Sequence, residues 1–216
     1  MKTKKPWPTK KAMQQIYAQG LWGSTQTDFY SGEGSHHTDI VNPFINQIVR
    51  FLSSFSEPLS VCDLGCGDFN IGKQLVPYTR KYLAIDIVPE LIERNREMYK
   101  DKRLSFDCLD ISRDKLPKAD CAIIRQVLQH LSNAEILRII PQLYQYSHVI
   151  LTEHIPEGNF EPNKNIISGQ GIRLKKKSGV DIHKAPFYLK SKDSKTLLTQ
   201  NSESYKGILV THLISL

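Results

Sequence analysis

No stretch of this 216-residue chain approaches the roughly eighteen consecutive apolar residues of a membrane-spanning helix. Its basic first residues also lack the continuous apolar core of a secretory signal. A cytoplasmic protein with no membrane contact is the expectation. Cysteine is sparse: Cys62, Cys66, Cys108 and Cys121 make no C-x-x-C pair and are too few for a disulfide framework, so they read as reduced thiols, mostly buried in strands. H-x-x-x-H spacing is missing, and no metal site is expected from His36, His37, His130, His154 or His183. Acidic residues are outnumbered, leaving a formal charge of +7. The excess gathers at Lys2, Lys4, Lys5, Lys10 and Lys11 and again at Lys175, Lys176 and Lys177. Aromatics are not interleaved with these lysines, so a solvated tail and loop is the plainer reading and an RNA partner the lesser one. No internal repeat occurs, and a chain of this length with 40% hydrophobic residues suits one core.

What is present alternates. An arm over residues 1–38 mixes glycine and proline with Trp7, Tyr17, Trp22, Phe29 and Tyr30, and is expected to pack through its aromatics. From Asp39 to Phe55, apolar residues recur at helical spacing, with Asp39 available as a cap and Pro43 tolerable only near the first turn. Strand-like runs follow at Leu59 to Leu64, Tyr82 to Ile87, Leu104 to Leu109, Ala119 to Ile124 and His148 to Glu153. Between them lie a helix opened by Pro89 and another entered through Ser132-Asn133-Ala134-Glu135, a capping box. Pro141 is expected to kink that second helix or end it early. Two further runs, Thr196 to Thr199 and Gly207 to Ser215, close the chain. The order predicts an α/β fold over residues 39–216: a doubly wound, mostly parallel Rossmann-like sheet with helices on both faces.

In such a sheet the ligand sits at the carboxyl ends of the strands. After the first strand comes Asp63-Leu64-Gly65-Cys66-Gly67, where two glycines permit a tight turn and close backbone approach, although an ordinary strand-to-helix turn has the same look. Asp63 would repel a pyrophosphate and suits a cationic ligand such as S-adenosyl-L-methionine, with its sulfonium and ammonium groups. Asn70, where G-x-G-x-x-G needs a third glycine, weakens the dinucleotide reading further. Asp86 ends the second strand about twenty residues on, the place for a carboxylate that accepts both hydroxyls of a ribose. Asp110, after the third strand, is placed to accept an adenine amino hydrogen, with Ile111 packed on the ring.

Through Asp63-Leu64-Gly65-Cys66-Gly67, Asp86, Asp110 and Arg125-Gln126-Val127-Leu128-Gln129-His130-Leu131, the sequence resembles the class I S-adenosylmethionine-dependent methyltransferase family over roughly Leu59 to Glu153. The resemblance implies that Gly65 and Gly67 flank the methionine part, that Asp86 with Ile87 holds the ribose, and that Asp110 and Ile111 bind adenine. It also implies that Arg125 and Gln126 border the methyl-transfer face and that the last two strands form a hairpin placing an antiparallel strand in the sheet. Two departures stand out. Phe69 occupies a place where the family often has a third glycine, and no Asn-Pro-Pro-aromatic motif follows the fourth strand, which argues against an amino-directed nucleic-acid methylase. His130 is near enough to act as a general base at neutral pH, and a structural histidine is the competing reading. Tyr30, His36, His37, Gln129, Asp181 and His183 are candidates for the acceptor side. A small-molecule methyl acceptor is expected. The rivals are an RNA or protein methyltransferase that docks through its lysines and a non-catalytic cofactor-binding partner.

Overall fold

The computed structural model describes residues 7–23, 28–201 and 206–216; Lys2, Lys4 and Lys5 of the basic start lie outside them. Seven strands, β1 (Ser60–Leu64), β2 (Lys81–Asp86), β3 (Leu104–Cys108), β4 (Cys121–Arg125), β5 (His148–Ile155), β6 (Asp193–Asn201) and β7 (Ile208–Ser215), form one sheet in the order β3-β2-β1-β4-β5-β7-β6. The first five run parallel, and β7 enters antiparallel between β5 and β6. Strand order reverses between β1 and β4, and this opens a crevice at their carboxyl ends.

Period-two alternation divides the strand residues between two cores. Cys62 and Leu64 of β1, Ala122 and Ile124 of β4 and Val149 and Leu151 of β5 point to one face. Val61, Cys121, Ile123 and Ile150 point to the other. The first face is covered by α5 (Asn133–Leu143), the second by α2 (Thr38–Leu52) and the single turn α3 (Gly72–Leu75), while α4 (Pro89–Met98) gives Leu91 to the first core and Ile92 to the second. In α5, Ile136, Ile139, Ile140 and Leu143 are buried at helical spacing, each side chain contributing on the order of 1.5–3 kcal/mol. Ser132 and Glu135 make the capping box at its start. Cys62 and Cys121 are buried in β1 and β4, Cys66 and Cys108 are half-buried, and all four are free thiols. No helix among the described residues is long and apolar enough to cross a membrane.

Three features differ from the sequence expectations. Residues Thr9–Ala18 of the arm form a helix, α1, whose Met13 and Ile16 join the first core. The sequence shows only this narrow stripe there, too little to mark a helix. The second helix begins at Thr38 with His37 as its N-cap and carries Pro43 in its second turn. Pro43 has no N–H for the Asp39 carbonyl four residues back, and Gln200 of β6 supplies the missing donor, its Nε2 lying 3.2 Å from that oxygen and 3.0 Å from the Ile40 oxygen. Pro141 does not stop α5, which continues to Leu143, because the proline falls in its last turn.

Candidate active site

A cavity of about 960 Å³ runs along the carboxyl edge of the sheet. Its floor is made by the loops after β1, β2 and β3, through Gly65, Gly67, Asp86, Ile87, Asp110 and Ile111, and by the loop after β4, through Arg125, Gln126, Gln129 and His130. The arm roofs it with Met13, Tyr17, Trp22 and residues 31–35. His154 at the end of β5, with Gln170, Leu174, Lys175, Lys177 and Lys206 beyond it, lines the far end.

Gly65 and Gly67 both take left-handed backbone (φ 89° and 56°), which folds the loop back so that the N–H groups of Gly65 and Cys66 donate to the Ile85 carbonyl. The free space at Gly67 is filled by the arm: a Cβ there would stand 2.4 Å from Ser31 Oγ. Ser31 Oγ accepts the Asp68 N–H, its own N–H donates to Asp68 Oδ2, and Tyr17 Oη lies 2.9 Å from the same hydroxyl. The arm is thus fastened to the glycine loop. Phe69 takes the left-handed conformation itself (φ 65°) and drives its ring into the second core, against Tyr82, Tyr99 and Phe106. A non-glycine residue holds that turn because burial of the ring offsets the backbone cost, on the order of 1–2 kcal/mol.

Asp86 is buried and borders the cavity. Its Oδ2 accepts the Gly67 N–H at 3.1 Å and its Oδ1 the Val88 N–H at 3.1 Å. Burial raises its pKa to about 6, opposed by these N–H groups. Each oxygen keeps a lone pair for a hydroxyl of a ligand. Asp110 borders the cavity too, with Oδ1 accepting the N–H and hydroxyl of Ser112 and Oδ2 lying 3.4 Å from Arg113.

Asp63 lies behind the floor. Its carboxylate accepts the Tyr82 hydroxyl at 2.9 Å, and burial pushes its pKa up to about 7, with the Tyr82 bond and Arg125 opposing. Arg125 stacks 4.8 Å over the Phe44 ring and donates to the Gly34 carbonyl at 2.5 Å, while its Nε is buried without a partner. Burial lowers its pKa to about 10 and Asp63 holds it up. Gln126 sits at φ 56° with its side-chain amide directly against Gly34, where a Cβ would come within 2.5 Å.

His130 borders the cavity beneath Trp22, ring centroids 5.0 Å apart. Its Nδ1 lies 3.1 Å from the Gly169 carbonyl, so the ring donates there and Nε2 is the acceptor, 3.3 Å from the Gln129 amide. Burial lowers its pKa to about 4. Burial thus favours the neutral ring and makes it a weaker base than the expected one titrating near neutrality. Gln129 also accepts the His154 N–H through Oε1 at 2.9 Å.

Tyr30, His36 and His37 do not line the cavity. Tyr30 stacks on His36 at 4.3 Å, and His36 Nε2 lies 2.6 Å from Asp68 Oδ2, so the pair ties the arm to the glycine loop from outside. Asp181 and His183 also stand away from it: Asp181 Oδ1 accepts the His183 N–H, and His183 Nδ1 donates to the Leu189 carbonyl. The sequence reading missed Arg173, which is 1% exposed. Its guanidinium donates to the carbonyls of Leu128, Gln129, Leu131 and Lys164 and to Asn133 Oδ1, and so fixes the whole loop after β4. Within Arg173-Leu174-Lys175-Lys176-Lys177 nothing distinguishes it from the solvated lysines that follow.

Residues 62–147 match the protein-family model described as "Methyltransferase domain". No curated protein matches the chain by sequence. Among solved structures, the N-methyltransferase NodS of Bradyrhizobium japonicum WM9, in complex with S-adenosyl-L-homocysteine, superposes with a TM-score of 0.67 at 12% identity, over 94% of this chain and 98% of that one. The magnesium protoporphyrin IX methyltransferase ChlM of Synechocystis PCC 6803, with bound SAM, gives 0.62 at 16% identity over 99% and 100%. Human N-acetylserotonin methyltransferase in complex with SAM gives 0.59 at 18% over 97% of this chain and 60% of that one. At these identities the likeness is one of fold, and only the family match speaks to chemistry. The chain thus shares its fold with these solved methyltransferases, and its residues 62–147 match a methyltransferase-domain model.

Proposed function

We propose that this methyltransferase domain takes S-adenosylmethionine as its cofactor and methylates a small molecule, in the cytoplasm, with residues 1–38 serving as a cap on a catalytic unit of residues 39–216. The observation that carries the reading is the roofed cavity with buried Asp86 at one end and the loop after β4 in its middle. The residues fit the group. Asp86 offers a free lone pair on each oxygen for the two ribose hydroxyls, Ile87 and Ile111 give apolar walls, and Gly65 and Gly67 leave room for a methionine tail. When bound, the cofactor supplies a methyl group on a sulfonium, open to in-line attack by the acceptor's lone pair.

The protein's own part is positioning. Tyr17, Trp22 and the segment 31–35 exclude water from the cavity, and loop 128–131, held by Arg173, presents Gln129 and His130 to the acceptor. His130, neutral and fixed by Gly169 and Trp22, offers Nε2 to orient a donor group on the acceptor. The RNA and binding-partner rivals make different predictions for a metabolite extract incubated with methyl-labelled cofactor. This reading expects a labelled low-mass product. Label found only in RNA or protein, or no transfer despite tight cofactor binding, would overturn it.

A further inference from the structure

We infer that the methyl acceptor is an amphiphilic small molecule carrying an anionic group, carboxylate, sulfonate or phosphate, which docks on Lys175, Lys177 and Lys206 at the far end of the cavity. The inference deepens the methyltransferase reading and rests on it for the word acceptor. Its footing is the polarity of the cavity from one end to the other. The end under β1, β2 and β3 holds the carboxylates of Asp86 and Asp110; four strand spacings away, about 19 Å, the end beyond β5 and β7 is lined by three lysines and His154.

That far end is built from separate parts of the chain. Gly207, at φ 94°, lets the turn before β7 close on β5: a Cβ there would stand 2.5 Å from the Ile155 carbonyl, 3.1 Å from Leu174 and 3.3 Å from His154 Nε2. The same contact carries Lys206 to Leu174 and its lysine neighbours. Lys177 stands in left-handed backbone (φ 49°) at the end of the turn Arg173–Lys176. A β-carbon-bearing residue in that conformation is uncommon and concentrates at functional positions.

Within the three-lysine run the roles separate. Lys176 turns away, its ammonium donating to the Asn165 carbonyl at 2.7 Å. Lys175 and Lys177 border the cavity, and among the described residues neither they nor Lys206 has a carboxylate at ion-pair distance. Three exposed lysines that border one cavity without a carboxylate partner favour an anion. Between the lysines and the loop after β4, Trp22, Leu131, Ile172 and Leu174 supply apolar wall, which suits an aromatic or aliphatic body. The anion is a handle, one or two strand spacings, on the order of 5–10 Å, from Gln126 and His130. Methyl transfer takes place on another atom of the acceptor.

The test compares 2-naphthoate and laurate with their neutral amides by calorimetry, on the full chain saturated with S-adenosylhomocysteine and on the chain alone. At least one acid should bind tenfold or more tightly than its amide, and the preference should fall below threefold in the variant Lys175→Ala, Lys177→Ala, Lys206→Ala. Acids that bind no better than amides, or an acid preference that survives the triple replacement, would overturn the inference. So would tight, salt-dependent binding of single-stranded RNA that the triple variant loses, since it would assign the lysines to a phosphate backbone. A chain that fails to bind S-adenosylhomocysteine defeats the cofactor reading separately, because the acid and amide comparison without cofactor still reports on the lysines.

Discussion

Asp86 is pulled two ways: burial raises its pKa to about 6, while the N–H groups of Val88, Gly67 and Ile87 hold it ionised at neutral pH. Removing it in Asp86→Ala should weaken S-adenosylmethionine and its demethylated product alike by on the order of 1–3 kcal/mol. Because a protonated carboxyl gives up part of its acceptor capacity, wild-type affinity should also fall as pH drops through about 6, and the variant should lack that fall. Titrations at pH 5 and 8 check both. Arg173 acts on the site through the backbone it holds. Arg173→Met leaves several buried carbonyls unpartnered and should cost on the order of 2–4 kcal/mol in denaturant unfolding, with Arg173→Lys restoring little because an ammonium cannot span the same acceptors. Wild-type stability in both variants would contradict the role assigned to it.

At the level of elements, the strands were readable as short apolar runs, the first ended by Gly65 and the third by Asp110, and the capping box marked α5 outright. What escaped depended on distant partners. Pro43 looks disruptive until Gln200, far along the chain, is seen to take the carbonyl it leaves bare. Helix α1 is legible only once Met13 and Ile16 are seen against the sheet. Candidate site residues divided the same way. Asp86, Asp110, Gln129 and His130 follow their strands directly and reach the cavity, whereas Asp181 and His183 sit in a long polar segment and bond its backbone, at the His183 N–H and the Leu189 carbonyl. Asp63, next to the glycines in sequence, points to the opposite side of the sheet from Leu64 and finds Tyr82 and Arg125 there. Because residues 31–35 roof the cavity and Ser31 is bonded to Asp68, deleting residues 1–37 should abolish turnover and weaken cofactor binding at least tenfold while cooperative unfolding persists. An active truncated chain would refute the capping role.

The molecule as a whole carries a pH dependence set by buried carboxyls. Burial raises Glu153 to about 8, opposed by Arg173 and by the N–H groups of Leu128 and Gln129, and its Oε2 has no partner. The folded chain therefore binds this proton more tightly than the unfolded chain, whose glutamate titrates near 4.5. The associated stability is full below that value and is lost as pH rises through about 8, at no more than about 1.4 kcal/mol per pH unit. Glu153→Gln, neutral at every pH, should gain on wild type in melting temperature between pH 6 and 9; parallel curves would contradict a protonated Glu153.

The cavity that joins Asp86 to the loop after β4 makes one demand above the others, that the chain bind S-adenosylmethionine. Calorimetric titration of the full chain at pH 7.5 with S-adenosylmethionine, S-adenosylhomocysteine and NAD measures it directly. Saturable binding of the first two, with none of NAD, is the predicted result. Binding of NAD without either of the others would contradict the account.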